Sequence, residues 1–406
     1  MSEGFLHVTS ETGVLKRVML HRPGAEMEYL MPRQLGDMLF EDIPWVARMR
    51  VEHDDFAAAL RKSGAEVVYI EDYIRCILAE REIAEQFIDE AFAEELGGER
   101  AEMRRIKEIF LSSDAAERTA FAIAGISPRD INALPESLAD FFPQETDYWL
   151  KPLPNMYFTR DPGAVIGGGI VLCSMNTPAR RREAQLLRLV ALHHPDFAGT
   201  PVIFNNAEYR MPIEGGDILV LSERAVAIGC SQRTGLHAID YVASKLLGER
   251  SAVQSVLAVQ IPPERAFMHL DTVMTMVDPA SFIVYPRILD EVSVVEISRG
   301  REGRLQYRCH DELRGALASA LGLDEVRILL SGGGDRLIAA REQWNDAANT
   351  LAVAPGRVLV YNRNSVSNQG LREHGIETIE IEGSELVRGR GGPRCMSMPL
   401  YREDIR

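Results

Sequence analysis

Val226-Ala-Ile-Gly-Cys-Ser-Gln-Arg-Thr234 is an apolar run that ends in a polar turn carrying an arginine. β-branched residues giving way to Ser, Gln and Thr read as a strand delivered into a loop. The same local pattern occurs at Val18-Met-Leu-His-Arg-Pro23, Ile170-Val-Leu-Cys-Ser-Met-Asn-Thr-Pro178, Ile283-Val-Tyr-Pro-Arg287 and Val358-Leu-Val-Tyr-Asn-Arg363. Five copies predict five related β/α units. Their spacing is irregular, so plain strand–helix alternation is the competing reading. Gly-Gly-Asp stands before two of the units, at Gly215-Gly216-Asp217 and Gly333-Gly334-Asp335, which adds to the repeat; neither has the form of a phosphate-binding loop.

Outward from these copies, Val14 to Leu20 reads as a strand, followed by a loop over Met31 to Asp42. Pro44 opens a helix through Trp45, Val46, Met49, Phe56 and Leu60 to Gly64, and Glu66 to Ile70 reads as the next strand. From Arg75 to Phe142 the periodicity turns helical. Ile83, Phe87, Phe92 and Leu96 mark one helix, Met103 to Leu111 a second and Ala115 to Ala124 a third, with Gly97-Gly98, Ser112-Ser113 and Pro128 between or after them. The expectation is an α/β domain over 1–406 interrupted by an all-helical insertion over 75–142.

Composition narrows the function. The 406 residues suffice for two or three average domains, or for one large domain with an insertion. Sixty acidic against 45 basic residues, a net charge of -15, argue against general nucleic-acid binding and favour a cationic small molecule. The five cysteines, Cys76, Cys173, Cys230, Cys309 and Cys395, are odd in number and contain no CxxC pair, which fits a reducing cytoplasm. No secretory leader is visible in Met-Ser-Glu-Gly-Phe-Leu-His, and no apolar stretch is long enough to span a bilayer.

Reactive chemistry is concentrated near the C-terminus, in Gly389-Arg390-Gly391-Gly392-Pro393-Arg394-Cys395-Met396-Ser397-Met398-Pro399. Three glycines and two prolines exclude an ordinary helix or strand, so a loop presents Cys395. Arg390 and Arg394 are cations that favour thiolate, the nucleophilic form; a buried structural cysteine is the bland alternative. Met268-His269-Leu270-Asp271-Thr272-Val273-Met274 has the content of a strand, with His269 and Asp271 on one face as base and carboxylate. Asp161 precedes Pro162 and is expected to be extended at a strand end, and Glu214 stands beside two glycines that let backbone approach a ligand. Arg180 and Arg233 lie in basic turns after candidate strands, where a forked guanidinium suits a carboxylate. No second histidine lies at ligand spacing from His269, so no metal site is expected.

Taken in order, Phe158-Thr-Arg-Asp161, Pro178-Ala-Arg-Arg181, Glu214-Gly-Gly-Asp217, His269-Leu-Asp-Thr-Val273, Gly389-Arg-Gly-Gly392 and Cys395-Met-Ser-Met-Pro399 resemble the bacterial arginine deiminases along the whole chain. The resemblance implies a five-bladed, pseudo-fivefold α/β propeller (pentein) with a helical insertion. It implies hydrolysis of free L-arginine to L-citrulline and ammonia, without a cofactor, in a cytoplasmic dimer or tetramer. Asp161 and Asp271 would grip the guanidinium, Cys395 would attack it, and His269, held by Glu214, would protonate the leaving ammonia and activate water. Arg180 and Arg233 match the positions that bind the substrate carboxylate. Asn155, the Leu39 backbone and Gly389 match those around its amino group, Phe158 would lie along the aliphatic chain, and Arg390 would close over the site. Three carboxylates near Cys395 oppose Arg390 and Arg394, which predicts a thiol in the free enzyme that ionises when the cation binds. Some members have Gly-His where this chain has Pro393-Arg394. Agmatine or dimethylarginine hydrolysis, amidino transfer and non-catalytic arginine binding are the alternatives.

Overall fold

A computed structural model describes residues 4–96, 101–127, 148–249, 251–300 and 303–405. The chain opens with β1 (Leu15–Leu20), α1 (Val46–Lys62) and β2 (Glu66–Tyr69), then runs through α2 (Ile70–Leu78), α3 (Arg81–Leu96), α4 (Ala101–Ser112) and α5 (Ala115–Ala124). Next come β3 (Gly163–Ile166), β4 (Gly169–Leu172), α6 (Arg181–His193) and β5 (Val202–Asn205), followed by β6 (Ile218–Ser222), β7 (Ala225–Cys230), α7 (Leu236–Leu246) and β8 (Ser255–Gln260). The fourth unit is β9 (Met274–Asp278), β10 (Ser281–Val284), the hairpin β11 (Ser293–Arg299) and β12 (Leu305–His310), α8 (Leu313–Leu321) and β13 (Arg327–Leu330). After α9 (Arg336–Trp344) come β14 (Leu351–Ala354), β15 (Arg357–Tyr361), α10 (Ser365–Glu373) and β16 (Glu377–Ile381), and β17 (Met398–Arg402) returns to β1.

These strands form five sheets, among the described residues, built on one three-strand arrangement. A middle strand pairs antiparallel with one neighbour and parallel with the other, in β17-β1-β2, β3-β4-β5, β6-β7-β8, β9-β10-β13 and β14-β15-β16. β11 and β12 extend the third sheet beyond β8. The five middle strands β1, β4, β7, β10 and β15 are the strands of the five sequence copies. Neighbours on both edges and cover on both faces explain their nearly unbroken apolar sequence: every residue of β4 and β10 is buried. The parallel outer strands are polar where they meet solvent, as in Glu377-Thr-Ile-Glu-Ile381 of β16.

Several local expectations change. Ile70 opens α2 rather than closing β2, because Ile70, Ile74 and Ile77 share a buried helical stripe. Gly333-Gly334-Asp335 is not the counterpart of Gly215-Gly216-Asp217. It follows β13, and Asp335 caps α9 by accepting from the amides of Leu337 and Ile338, whereas Gly215-Gly216-Asp217 runs directly into β6. Pro399 lies inside β17, paired opposite Val18; β17 is an edge strand, where a missing N–H is tolerated. Another concerns His269 and is described with the site. The Gly97-Gly98 loop, Pro128 with the rest of the expected insertion to 142, and residues 1–3 lie outside the described residues.

No helix among the described residues is long and apolar enough to cross a membrane. α5 begins at a capping box in which the Asp114 carboxylate accepts the Glu117 amide and the Glu117 side chain accepts the Asp114 amide. Buried residues of α2 to α5 and of α6 belong to one apolar cluster, so the helical region is tied to the β3–β5 unit.

Candidate active site

The segment just before the first strand of each unit carries a polar side chain into one buried region. Asp161 precedes β3, Glu214 and Asp217 precede β6, His269 and Asp271 precede β9, Asp346 and Asn349 precede β14, and Cys395 precedes β17. All are at most 3% exposed. Topologically equivalent positions of five units thus supply the whole cluster.

Cys395 lies in a turn fixed from several sides. Its amide donates to Asn349 Oδ1 at 3.0 Å, its carbonyl accepts from the Arg160 amide at 3.1 Å, and Asn349 Nδ2 lies 3.1 Å from Sγ. Asp271 Oδ2 is 3.6 Å from Sγ. Burial first, then the charges of Asp271, Asp161 and Asp346, push the thiol well above its ordinary value, with Arg394 opposing. The sequence reading of Arg394 as the thiol's activator therefore changes. Its guanidinium is spent on Glu11, at 3.0 and 3.1 Å, on Asp271 at 2.7 Å and on the Ile218 carbonyl at 2.7 Å. Arg394→Leu would strand two buried carboxylates, and removing one partner of a buried pair costs about 3–5 kcal/mol. A lower midpoint in urea unfolding is the expected result; an unchanged midpoint would show that Arg394 is not part of the scaffold.

His269 is not in a strand. It is extended, Leu270 to Thr272 make one 3-10 turn, and β9 starts only at Met274. The β-branched residues are overridden by long-range contacts: Asp217 Oδ1 accepts the Leu270 amide at 2.8 Å. The shared-face argument for His269 and Asp271 falls with the strand. His269 Nε2 lies 2.8 Å from Glu214 Oε2 and its Nδ1 is 3.6 Å from Asp161 Oδ1, while Asp271 meets Cys395 and Arg394. Burial alone would lower the imidazole, but Asp161, the Glu214 hydrogen bond and Asp217 raise it to about 9. Glu214 behaves in the opposite way. Burial would raise its carboxyl, yet His269, Arg233 and Arg180 hold it at about 2. The pair is an imidazolium on a carboxylate at neutral pH.

The glycines beside Glu214 make room for the protein itself. A Cβ on Gly216 would stand 2.6 Å from His269 Nδ1 and 2.8 Å from Asp161 Oδ1. Any side chain there would displace the imidazole. Asp161 lies in the turn ahead of β3, not at the end of a strand.

Expected substrate contacts are partly engaged within the chain. Arg180 meets Asp161 Oδ2 through Nη1, forks onto Glu183 through Nε and Nη2 at 3.0 and 2.8 Å, and also donates to the carbonyls of Asn155 and Phe158. Arg233 Nη1 is 3.6 Å from Glu214 Oε2, and Asn155 Nδ2 donates to the Met38 carbonyl at 2.7 Å. Phe158 stacks on Tyr157 with ring centroids 3.9 Å apart. A Cβ on Gly391 would come within 2.3 Å of the Phe158 ring, and one on Gly389 within 2.3 Å of the Tyr157 hydroxyl. Leu39 is half-buried with φ 63°, and Arg390 is buried against Trp344.

Sequence reasoning missed Asn349, Asp346, Trp344 and Glu183. Trp344-Asn-Asp-Ala-Ala-Asn349 has the composition of a plain turn; only its position ahead of β14, matching that of the other site segments, could have singled it out. One ligand atom each of Asp161, Glu214 and His269 lie within 4.8 Å of one another, close enough for a metal ion. Arg180 on Asp161 and Arg233 beside Glu214 already offset the negative charge a cation would use.

A buried thiol, an imidazolium–carboxylate pair and two further carboxylates are groups that can supply a nucleophile, a proton donor and negative charge. The fold that carries it is shared with a DDAH from Pseudomonas aeruginosa solved with citrulline, 15% identical, TM-score 0.53, covering 95% of this chain and 99% of that one. It is also shared with the amidinotransferase SxtG of Microseira wollei, 14% identical, TM-score 0.55, covering 99% and 98%. The class these likenesses define is one of fold. Within it, the arginine deiminase family description matches residues 36–402. The arginine deiminases of Bacillus cytotoxicus and Oenococcus oeni are 44% and 42% identical over 410 and 406 residues, spanning 98% of this chain and 99% and 98% of theirs. The chain belongs to the arginine deiminase family.

Proposed function

We propose that the chain hydrolyses free L-arginine to L-citrulline and ammonia through a covalent adduct on Cys395. The observation that carries this reading is the Cys395 thiol 3.6 Å from Asp271, together with the buried His269–Glu214 pair, in a member of the arginine deiminase family. Asp161 and Asp271 hold the substrate guanidinium. For Asp161 to do so, Arg180 turns from it to the substrate carboxylate, pivoting on Glu183, and Arg233 supplies the second cation. Asn155, the Leu39 backbone and Gly389 surround the amino group, Phe158 lies along the aliphatic chain, and Arg390 is the gate.

In the free enzyme burial and carboxylates keep Cys395 protonated; the incoming cation favours loss of that proton to solvent, since His269 is already protonated. The thiolate forms a bond to the guanidinium carbon. As the tetrahedral adduct collapses, a terminal C–N bond breaks and the nitrogen leaves as ammonia with a proton from His269. Neutral His269 then takes a proton from water, the oxygen bonds to the thiouronium carbon, the C–S bond breaks, and the hydroxyl proton passes to the departing sulfur, releasing neutral citrulline and restoring the thiol.

The repeated sheet arrangement supports five blades about one pseudo-fivefold axis, in a single catalytic domain over 1–406 with 75–142 as its helical insertion. We assign the enzyme to the cytoplasm as a dimer or tetramer, with no cofactor, nucleic-acid or membrane partner. A panel of arginine, agmatine and methylated arginines tests the substrate. Arg233→Leu is expected to raise KM for arginine about 10- to 100-fold, the worth of a hydrogen bond to a charged group, and to raise that for agmatine, which has no carboxylate, far less. Equal losses on both substrates would remove Arg233 from carboxylate recognition.

A further inference from the structure

Two buried groups of opposite charge near Cys395 take part in no hydrogen bond among the described residues. Arg390 is 4% exposed with Nε, Nη1 and Nη2 all unpartnered, and Asp346 is 2% exposed with both carboxylate oxygens unpartnered. Burial without a partner is costly for either ion. Something other than hydrogen bonding therefore holds them where they are.

For Arg390 that contact is Trp344. The guanidinium carbon lies 3.6 Å from the centre of the indole, within the range of a cation–π interaction. Trp344 ends α9 and Asp346 follows two residues later, so one corner of the chain carries both the ring and the carboxylate. Burial raises the Asp346 carboxyl to about 7; Arg390 is the largest influence opposing it, with Asp271 and Arg363 the other charges it faces. The two ions lie in each other's field.

Backbone conformation marks the same place. Among the described residues the non-glycine residues with positive φ are Leu39 at 63°, Asp346 at 58° and Arg390 at 63°. Such conformations cost about 1–3 kcal/mol and gather at clamps and switches. The backbone beside Arg390 is separately fastened: its amide donates to the Val387 carbonyl at 2.9 Å, and the Tyr361 hydroxyl donates to the Gly391 carbonyl at 2.9 Å. The Arg390 side chain, free of hydrogen bonds, is the part that can move.

We infer that Trp344 and Asp346 form the seat of Arg390, a latch of an indole face and a buried carboxylate that keeps the Arg390 side chain closed over the approach to Cys395 until the guanidinium leaves it. This rests on the reading of Arg390 as the gate. Trp344 and Asp346 are positioning residues that act on the thiol through Arg390.

The test is the rate at which iodoacetamide, a neutral probe, alkylates Cys395 in the ligand-free full-length protein. It is read on the peptide containing Cys395, because Cys76 and Cys309 are exposed and react too. Trp344→Leu, which changes no charge, and Arg390→Ala are each expected to speed alkylation about fivefold, and the double variant is expected to match Arg390→Ala alone. Trp344→Phe retains a ring and stays within about twofold of the parent. Arg390→Ala and Asp346→Asn also remove a charge near the thiol, so their rates are compared as the thiolate's own constant from the pH dependence, where Asp346→Asn too is expected to rise and to add nothing to Arg390→Ala. Parent-like alkylation of Trp344→Leu, or its effect multiplying with that of Arg390→Ala, would overturn the latch. None of these readings needs arginine turnover, so they stand or fall separately from the substrate assignment.

Discussion

Cys395→Ser loses citrulline formation by about four orders of magnitude or more, the scale on which nucleophile knockouts fall, and unfolds at the parent's urea midpoint. The fold should survive because the turn is built from main-chain contacts and from Asn349, not from the sulfur alone: the residue-395 amide still donates to Asn349 Oδ1, and the carbonyl still accepts the Arg160 amide. A serine hydroxyl is the smaller atom in the same pocket. It has a far higher pKa than the thiol, and Asp271 and Asp346 would oppose its ionisation as they oppose that of sulfur. Arginine should still bind, since the acids and arginines proposed to hold it are untouched. An unchanged urea midpoint with no turnover separates loss of chemistry from loss of structure; wild-type turnover would remove Cys395 from the reaction.

Glu214→Gln lowers kcat about 100-fold and moves the alkaline limb of the pH profile down. The sign follows from the environment of His269. Its pKa of about 9 exists because Asp161, Glu214 and Asp217 outweigh burial. Glutamine keeps an oxygen facing Nε2 but removes one of those charges, so burial counts for more and the imidazole pKa falls. The protonated form, required to deliver a proton to the leaving ammonia, then disappears at lower pH. Acid conditions below the new pKa should restore part of the lost rate relative to pH 8. A profile that shifts upward, or not at all, would mean that Glu214 does not set the charge of His269.

The unit structure was legible because its signal is local. A middle strand with neighbours on both sides must be apolar almost throughout and must end in a loop, and that pattern recurs at Val18, Ile170, Val226, Ile283 and Val358, the strands that occupy the centres of the five sheets. Cys395, His269, Glu214, Asp161 and Asp271 were legible as chemistry-bearing residue types in recognisable motifs, and the fold brings all five together. What escaped were relations between distant parts of the chain. Arg394 is one residue from the thiol in sequence, yet its fork is taken by Glu11, 383 residues away. The strand expected at Met268 to Met274 had suitable composition, but the Asp217 carboxylate holds the Leu270 amide and Gly216 leaves room for the His269 ring. Asp346 and Asn349 carry no motif and acquire meaning only from their place ahead of β14.

Rapid quenching during the first turnovers with arginine, followed by mass analysis of the peptide bearing Cys395, tests the central claim most directly. A transient adduct on Cys395 equal in mass to arginine less ammonia is expected, formed as ammonia is released and lost as citrulline appears. Citrulline produced at full rate with Cys395 unmodified at every time point would contradict it.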